Sequence, residues 1–346
     1  MSFYDGVFET LGLSDWCDTD AAEGPMSMDQ LMAQVQGQEE EAVETGGLFP
    51  FPSLDNLHSA CGEIPQTREM TAGVETAFLN IKDSLTFVLD PITQPLSWFL
   101  NGALFVFTEV PWWLVIPALV ILTWYVSKSR GVSIFVALSF IFLAFIDHYD
   151  HAIQTLAIIF VCTGLCVLFG VPIGILMSKY NTFQRMTIPI LDLLQTLPSF
   201  VYLIPLIFLF SVTEPKLYGI AIILYAIVPV IRLTDLGIRL VDKDVIEAAN
   251  AFGMTSRQKL FGVEIPLALP NIMAGVNQTI MMSLAMVVIA SLVSAPGLGV
   301  LVLRGIRSLE LGVGLVAGLG IVLLAVILDR ASKAALARVN VTHDSH

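Results

Sequence analysis

Charge is scarce in this chain and unevenly placed. Asp, Glu, Lys and Arg make up 14% of its 346 residues against 55% hydrophobic, and the mean hydropathy is +0.78. Soluble domains carry about a quarter charged residues, so a soluble globular fold is excluded. Basic residues are outnumbered 30 to 17, a formal charge of −13, which argues against nucleic acid as a partner. Residues 1–84 hold 16 acids and 2 bases, whereas 85–346 carry 14 acids and 15 bases. The acidity therefore belongs to a tail, and the tail and the body need separate arguments.

Other absences narrow the possibilities. The first residues have neither a basic region nor an apolar run of signal-peptide length, so targeting is expected from a later segment. No Gly-Lys pair occurs anywhere, which excludes a Walker A phosphate loop. Of only four cysteines, Cys17 and Cys61 lie in the tail. Cys162 and Cys166, one helical turn apart with no further Cys or His ligands nearby, read as small buried filler rather than a metal site. The run Asp147-His148-Tyr149-Asp150-His151 reads as a polar turn between two membrane helices. No catalytic or metal-ligating residue is assigned. Within the acidic tail, 1–84, the spacing Ser27 to Gln30 suggests a capping box with Met28, Leu31, Met32 and Val35 on one helical face. Glu39 to Glu41 and Gly46 to Pro52 look like solvated, poorly ordered linker.

The body is long enough for several crossings. A bilayer core takes about 20 apolar helical residues, and windows near 111–127, 132–147, 151–177, 188–210, 216–232, 270–293 and 311–328 meet or approach that length. The fold class is accordingly an all-α, polytopic membrane protein of about seven transmembrane helices over 111–335, with a short tail at 336–346. The preceding stretch 85–110 is interrupted by Asp90, Pro91, Pro95 and Asn101 and reads as an interfacial or re-entrant segment. Lys and Arg gather in alternate connections: Lys128 and Arg130, Lys179 and Arg185, Arg232 to Lys259, and Arg330 to Arg338. Those sides are expected to be cytoplasmic, the C-terminus included. Arg304 and Arg307 fall on the opposite side, which suggests that 294–310 folds back on the protein. With seven spans the acidic tail lies outside; with an eighth, inside.

The connection at 233–269 is long and patterned. Asp244 and Glu247 have capping-box spacing, and Val245, Ala248, Ala249 and Phe252 form one stripe at i, i+3, i+4 and i+7. Gly253 predicts a helix stop. Thr255 and Gln258 repeat the capping-box spacing, and Pro266 and Pro270 mark the return to the membrane. A rigid helix–turn–helix with small residues on its stripe suits docking, and it equally suits an interfacial helix lying on lipid.

Glu247-Ala248-Ala249, Gly253, Ile265, Pro266 and Pro270 resemble the EAA loop of ABC-importer permeases, although the exit reads Ile265-Pro266-Leu267-Ala268-Leu269-Pro270. Gln195 to Leu203, Ile272 to Thr279 and Met286 to Ser291 are similar to the glycine betaine/proline betaine importer permeases. This resemblance covers roughly 85–335. It implies a permease subunit in the cell inner membrane, with Glu247, Ala248, Ala249, Phe252, Gly253, Ile265, Pro266 and Pro270 coupling it to a cytoplasmic ABC ATPase. It further implies a separate extracytoplasmic substrate-binding protein and a second copy of the chain. ATP would be used by the partner, and no cofactor would be bound by this chain.

The helix breakers Pro189, Pro198 and Pro205 stand among Asp192, Gln195 and Thr196, an expensive set for lipid exposure. Gln195, Phe200, Tyr202, Asn277 and Ser283 are the candidate translocation-path residues; the aromatics could face a quaternary ammonium or simply pack, and Asn277 and Ser283 could equally hydrogen-bond between helices. Gly314 and Gly318 have the GxxxG spacing of close helix packing, and Asp235 can pair with Arg232 or Arg239 along one helix. Rival readings are a permease for choline, carnitine or another small cation, an ion-coupled secondary transporter, and a structural membrane anchor.

Overall fold

The computed structural model describes residues 10, 11 and 67–344. The expectations for Ser27 to Val35, the acidic run, Cys17 and Cys61 lie outside the described residues. The chain divides into two units, Met1–Asp83 and Ser84–His346, and the second holds the site. Among the described residues all regular structure is helical. In chain order the helices are α1 (Thr67–Glu109), α2 (Trp112–Ser127), α3 (Arg130–Phe145), α4 (Tyr149–Lys179) and α5 (Asn181–Thr196). There follow α6 (Leu203–Leu209), α7 (Pro215–Arg239), α8 (Lys243–Ala251), α9 (Ser256–Lys259), α10 (Ile265–Ala290), α11 (Leu298–Arg307) and α12 (Leu311–Asp344).

Among the described residues four helical stretches are long and apolar enough to cross a membrane singly: α4, α7, the α9–α10 run over Ser256–Val293, and α12. Two further segments qualify only as bent pairs, α1 with α2 at 112° and α5 with α6 at 105°, and α3 is a shorter apolar helix. The expected crossing at 188–210, with its helix breakers, lies in the second of these pairs and takes the form of an elbow at Pro198. Its cause is local: Pro198 has no amide hydrogen and forces Leu197 into extended backbone (φ −65°, ψ 132°). Within 85–110, by contrast, α1 runs unbroken through Pro91 and Pro95.

α7 is the central helix. Its most apolar window is 61% buried, against 22% for α12. Lipid tails supply no hydrophobic drive between helices, so close packing has to hold them. α4 meets α7 through Gly170 and Gly174: a methyl on Gly174 would lie 2.7 Å from the Ile231 carbonyl oxygen and 2.6 Å from Thr234 Cβ. α10 approaches the other side through Gly275, where a methyl would stand 3.0 Å from Val230 Cα. Around this hub Ile158, Cys162, Leu217, Ile222 and Met286 form the main core, and Phe140, Leu143, Ile153, Leu298 and Leu324 a second one.

The expected GxxxG pair of the last span holds by half. Gly314 abuts Gly305 of α11, whereas nothing lies within 4 Å of a methyl built on Gly318. Residues 294–310 do fold back: Leu298 is buried and its amide donates to the Thr155 hydroxyl of α4 at 2.9 Å. The turn before α4 carries His148, whose Nδ1 lies 2.6 Å from the Ile146 carbonyl oxygen.

The α4–α7 contact yields a direct test. Gly174→Ala should destabilise the protein by about 1–3 kcal/mol through overpacking, seen as a lower thermal midpoint in detergent, while Gly318→Ala should leave the midpoint unchanged.

Candidate functional site: a capped loop and a proline elbow

The loop between α7 and α10 is built from four local devices. α8 begins at Lys243 with Asp242 as its cap, whose side chain accepts from the Asp244 amide at 3.0 Å. The expected box from Asp244 to Glu247 is thus corrected: Asp242 is already extended (ψ 131°) and supplies the capping oxygen first, leaving Asp244 inside the first turn. α8 ends in a Schellman turn, with the Gly253 amide donating to Asn250 O at 3.0 Å and the Met254 amide to Ala249 O at 3.1 Å. Gly253 has φ +75° and open space around its Cα, so the sign of φ, not crowding, calls for glycine. α9 opens with the full capping box: the Thr255 amide donates to Gln258 Oε1 at 2.9 Å, and the Gln258 amide to Thr255 Oγ1 at 3.4 Å. Lys259 Nζ then reaches back to Asn250 Oδ1 at 3.0 Å and clasps the two helices together.

The apolar stripe divides. Ala249 is buried at 4% exposure, whereas Phe252 is 85% exposed, and Val245, Ala248 and Glu247 are also at the surface. Phe252 caps the helix rather than continuing it, and its side chain stands out exposed, as does that of Phe261. Ile265, Pro266 and Pro270 are half-buried in the first turns of α10. The eight loop residues therefore separate into an exposed face, a seat at Ala249, and a proline-containing exit.

That exit contains an irregularity the sequence did not announce. Leu260–Glu264 form a π turn, with the Ile265 amide donating to Leu260 O. Pro266 explains it: its ring would clash with the carbonyl four residues back and it has no hydrogen to donate there, so the preceding turn widens. The wider turn carries buried Glu264, 5% exposed, which is ion-paired with Lys179 at the end of α4. Close by in the fold, Arg239 at the end of α7 donates to Asp235 Oδ1 (2.8 Å), Asn181 Oδ1 (3.0 Å) and Met177 O (2.7 Å), and Gln184 donates to Asp235 Oδ2 (2.6 Å). Asp235 thus pairs along its helix with Arg239, while Arg232 is ion-paired with Asp192 of α5. The sequence pattern disclosed the i,i+4 pair and not the cross-helix partners.

The candidate path residues are spread over two places. Gln195 and Phe200 are exposed at the α5–α6 elbow, and Tyr202 is buried there, its hydroxyl donating to Leu194 O. Leu194 is the residue whose carbonyl loses its helical donor at Pro198, so Tyr202 replaces the missing hydrogen bond. Asn277 donates to Asp329 Oδ1 at 3.2 Å and accepts from Ser332, joining α10 to α12. Buried Ser283 accepts from Thr163 of α4 at 3.3 Å. A cavity of about 420 Å³ among Phe99, Phe160, Thr163, Leu168, Ile280 and Leu328 is apolar, and none of the five path residues lines it.

Residues 170–341, which contain the loop and its flanking helices, match the family described as binding-protein-dependent transport system inner membrane component. The chain is 42% identical over 245 residues to the glycine betaine transport system permease protein OpuAB of Bacillus subtilis, covering 70% of this chain and 86% of that protein. It is 38% identical over 285 residues to the glycine betaine/proline betaine transport system permease protein ProW of Escherichia coli, covering 82% and 78%. Among solved structures, a chain of the methionine ABC transporter MetNI in an inward-facing conformation aligns with TM-score 0.50 at 20% identity, over 56% of this chain and 95% of that one, a likeness of fold. The chain belongs to the family of inner-membrane permease components of binding-protein-dependent, ATP-driven transport systems.

Proposed function

We propose that this permease carries glycine betaine and proline betaine-type compatible solutes, that it works as two copies with a cytoplasmic ABC ATPase and an extracytoplasmic substrate-binding protein, and that its C-terminus is cytoplasmic. The substrate class follows from the names of the two permeases above and from the glycine betaine/carnitine permease GbuB of Listeria monocytogenes, 38% identical over 90% of its length. The single observation behind ATPase coupling is the exposed row Val245, Ala248 and Phe252 on a loop made rigid by two caps, a Schellman turn and the Lys259–Asn250 clasp. A large exposed aromatic next to small alanines presents a knob and a flat approach to a partner groove. In such a cycle, closure of the ATPase dimer pushes the loop, and the loop tilts the helices attached to it. The basic ends at Lys179, Arg239, Lys259 and Lys333 are consistent with that side being cytoplasmic. ATP is bound and hydrolysed by the partner.

Phe252→Ala should insert and fold normally, since its side chain is exposed, yet lose most receptor-stimulated ATPase activity and uptake in proteoliposomes. Gly253→Val should do the same by displacing α9, because a left-handed β-branched residue costs at least about 1–2 kcal/mol. Normal stimulated hydrolysis in both variants would reduce the loop to a connector.

At the elbow, Phe200 is the aromatic free to face a quaternary ammonium. A cation–π contact of about 0.5–2 kcal/mol predicts that Phe200→Leu slows radiolabelled glycine betaine uptake by about twofold to thirtyfold with assembly intact. Tyr202→Phe should instead lower the thermal midpoint, since it strands the Leu194 carbonyl at a cost of about 1–3 kcal/mol.

A further inference from the structure

We infer that the Lys179–Glu264 ion pair is the joint that carries loop movement into α4, making both residues positioning residues of the transport cycle. The inference rests on the loop being the ATPase dock. Its starting point is mechanical. A backbone push from α9 reaches α10 only through the π turn at Leu260–Glu264, where regular helical hydrogen bonding is interrupted, and a widened turn is a compliant link. Glu264, inside that turn, is 5% exposed and paired with Lys179, the last residue of α4. A buried carboxylate drawn away from its cation is left uncompensated, so the two residues must move together.

α4 does not move alone. Its last turns lie against α7 at Gly174, and Arg239 at the end of α7 holds Met177 O of α4 and Asn181 at the start of α5. Displacing Lys179 therefore displaces a corner shared by α4, α5 and α7, and α5 leads to the elbow with Gln195 and Phe200. The loop consequently acts on the bundle by three arms: covalently on α10 through the π turn, covalently on α7 through residues 240–242, and through one ion pair on the end of α4. Pro266 creates the first arm's compliance and, by widening the turn, sets the register that aims Glu264 at Lys179.

The test uses the complete transporter, permease with ATPase subunits and binding protein, in proteoliposomes, reading glycine betaine transported per ATP hydrolysed. Lys179→Met and Glu264→Gln should each assemble and hydrolyse ATP while the transport-to-hydrolysis ratio falls about tenfold or more, and the exchange Lys179→Glu/Glu264→Lys should restore it. The double neutral variant Lys179→Met/Glu264→Gln leaves no unpaired buried charge and should show the same uncoupling even where a single variant folds poorly. A wild-type ratio in the double neutral variant overturns the inference, as does an assembled exchange variant that remains uncoupled. Phe252→Ala and Gly253→Val assayed alongside separate the two proposals: normal stimulation in both defeats the docking reading, whereas its loss beside a fully coupled double neutral variant defeats the joint alone.

Discussion

The close seat of α4 and α10 on α7 is the contact on which the rest of the molecule depends. Large apolar side chains cover much of the exterior, among them Phe87, Phe145, Phe160 and Leu168, and in a bilayer they gain little by turning inward. Cohesion comes instead from backbones brought close where Gly170, Gly174 and Gly275 face Pro229, Val230, Ile231 and Thr234. That proximity lets short polar reaches work: Arg239 can touch a carbonyl of α4, and Thr163 can reach Ser283, only because the helices already lie near one another.

Proline has three outcomes in this chain, and the difference lies in what surrounds it. At Pro91 and Pro95 the helix continues, with the Thr93 hydroxyl bonding Leu89 O at 2.8 Å within the same stretch. At Pro198 the preceding residue turns extended, the axis changes direction by 105°, and Tyr202 recovers the carbonyl at Leu194. At Pro266 the response is intermediate, a single widened turn. Two of these sites adjoin the functional elements, so the breakers place an elbow with an exposed aromatic in one segment and a compliant exit with a buried acid in another.

The loop itself is assembled almost wholly from local chemistry. Caps, a left-handed glycine and one lysine–asparagine clasp define its shape, and Glu264 ties it to α4 through Lys179. A body of this kind can be pushed without unfolding. Its faces differ: Phe252 and Ala248 are exposed, while Ala249 is buried.

Much of this was legible in the sequence because it is written at short range. The Thr255–Gln258 box, the stop at Gly253 and the apolar lengths of α4, α7, α10 and α12 depend on residues within a turn or two of one another, and the entry motif Glu247-Ala248-Ala249 with Gly253 pointed to the transport family on that basis. Periodicity placed Ala248, Ala249 and Phe252 on one stripe, but only the helix end at Phe252 and the packing beneath Ala249 decided which of them face out. Likewise i,i+4 spacing allowed Asp235 either arginine; the arrival of α5 beside α7 gave Arg232 to Asp192 and left Arg239 for the corner. The pairing of Lys179 with Glu264 joins residues 85 positions apart, and no local pattern carries it. The sequence by itself determined helices, caps and breakers, since these are settled by neighbours along the chain; which breaker bends, which glycine packs and which charge finds a partner were decided by tertiary structure, because each depends on what another helix brings to that point.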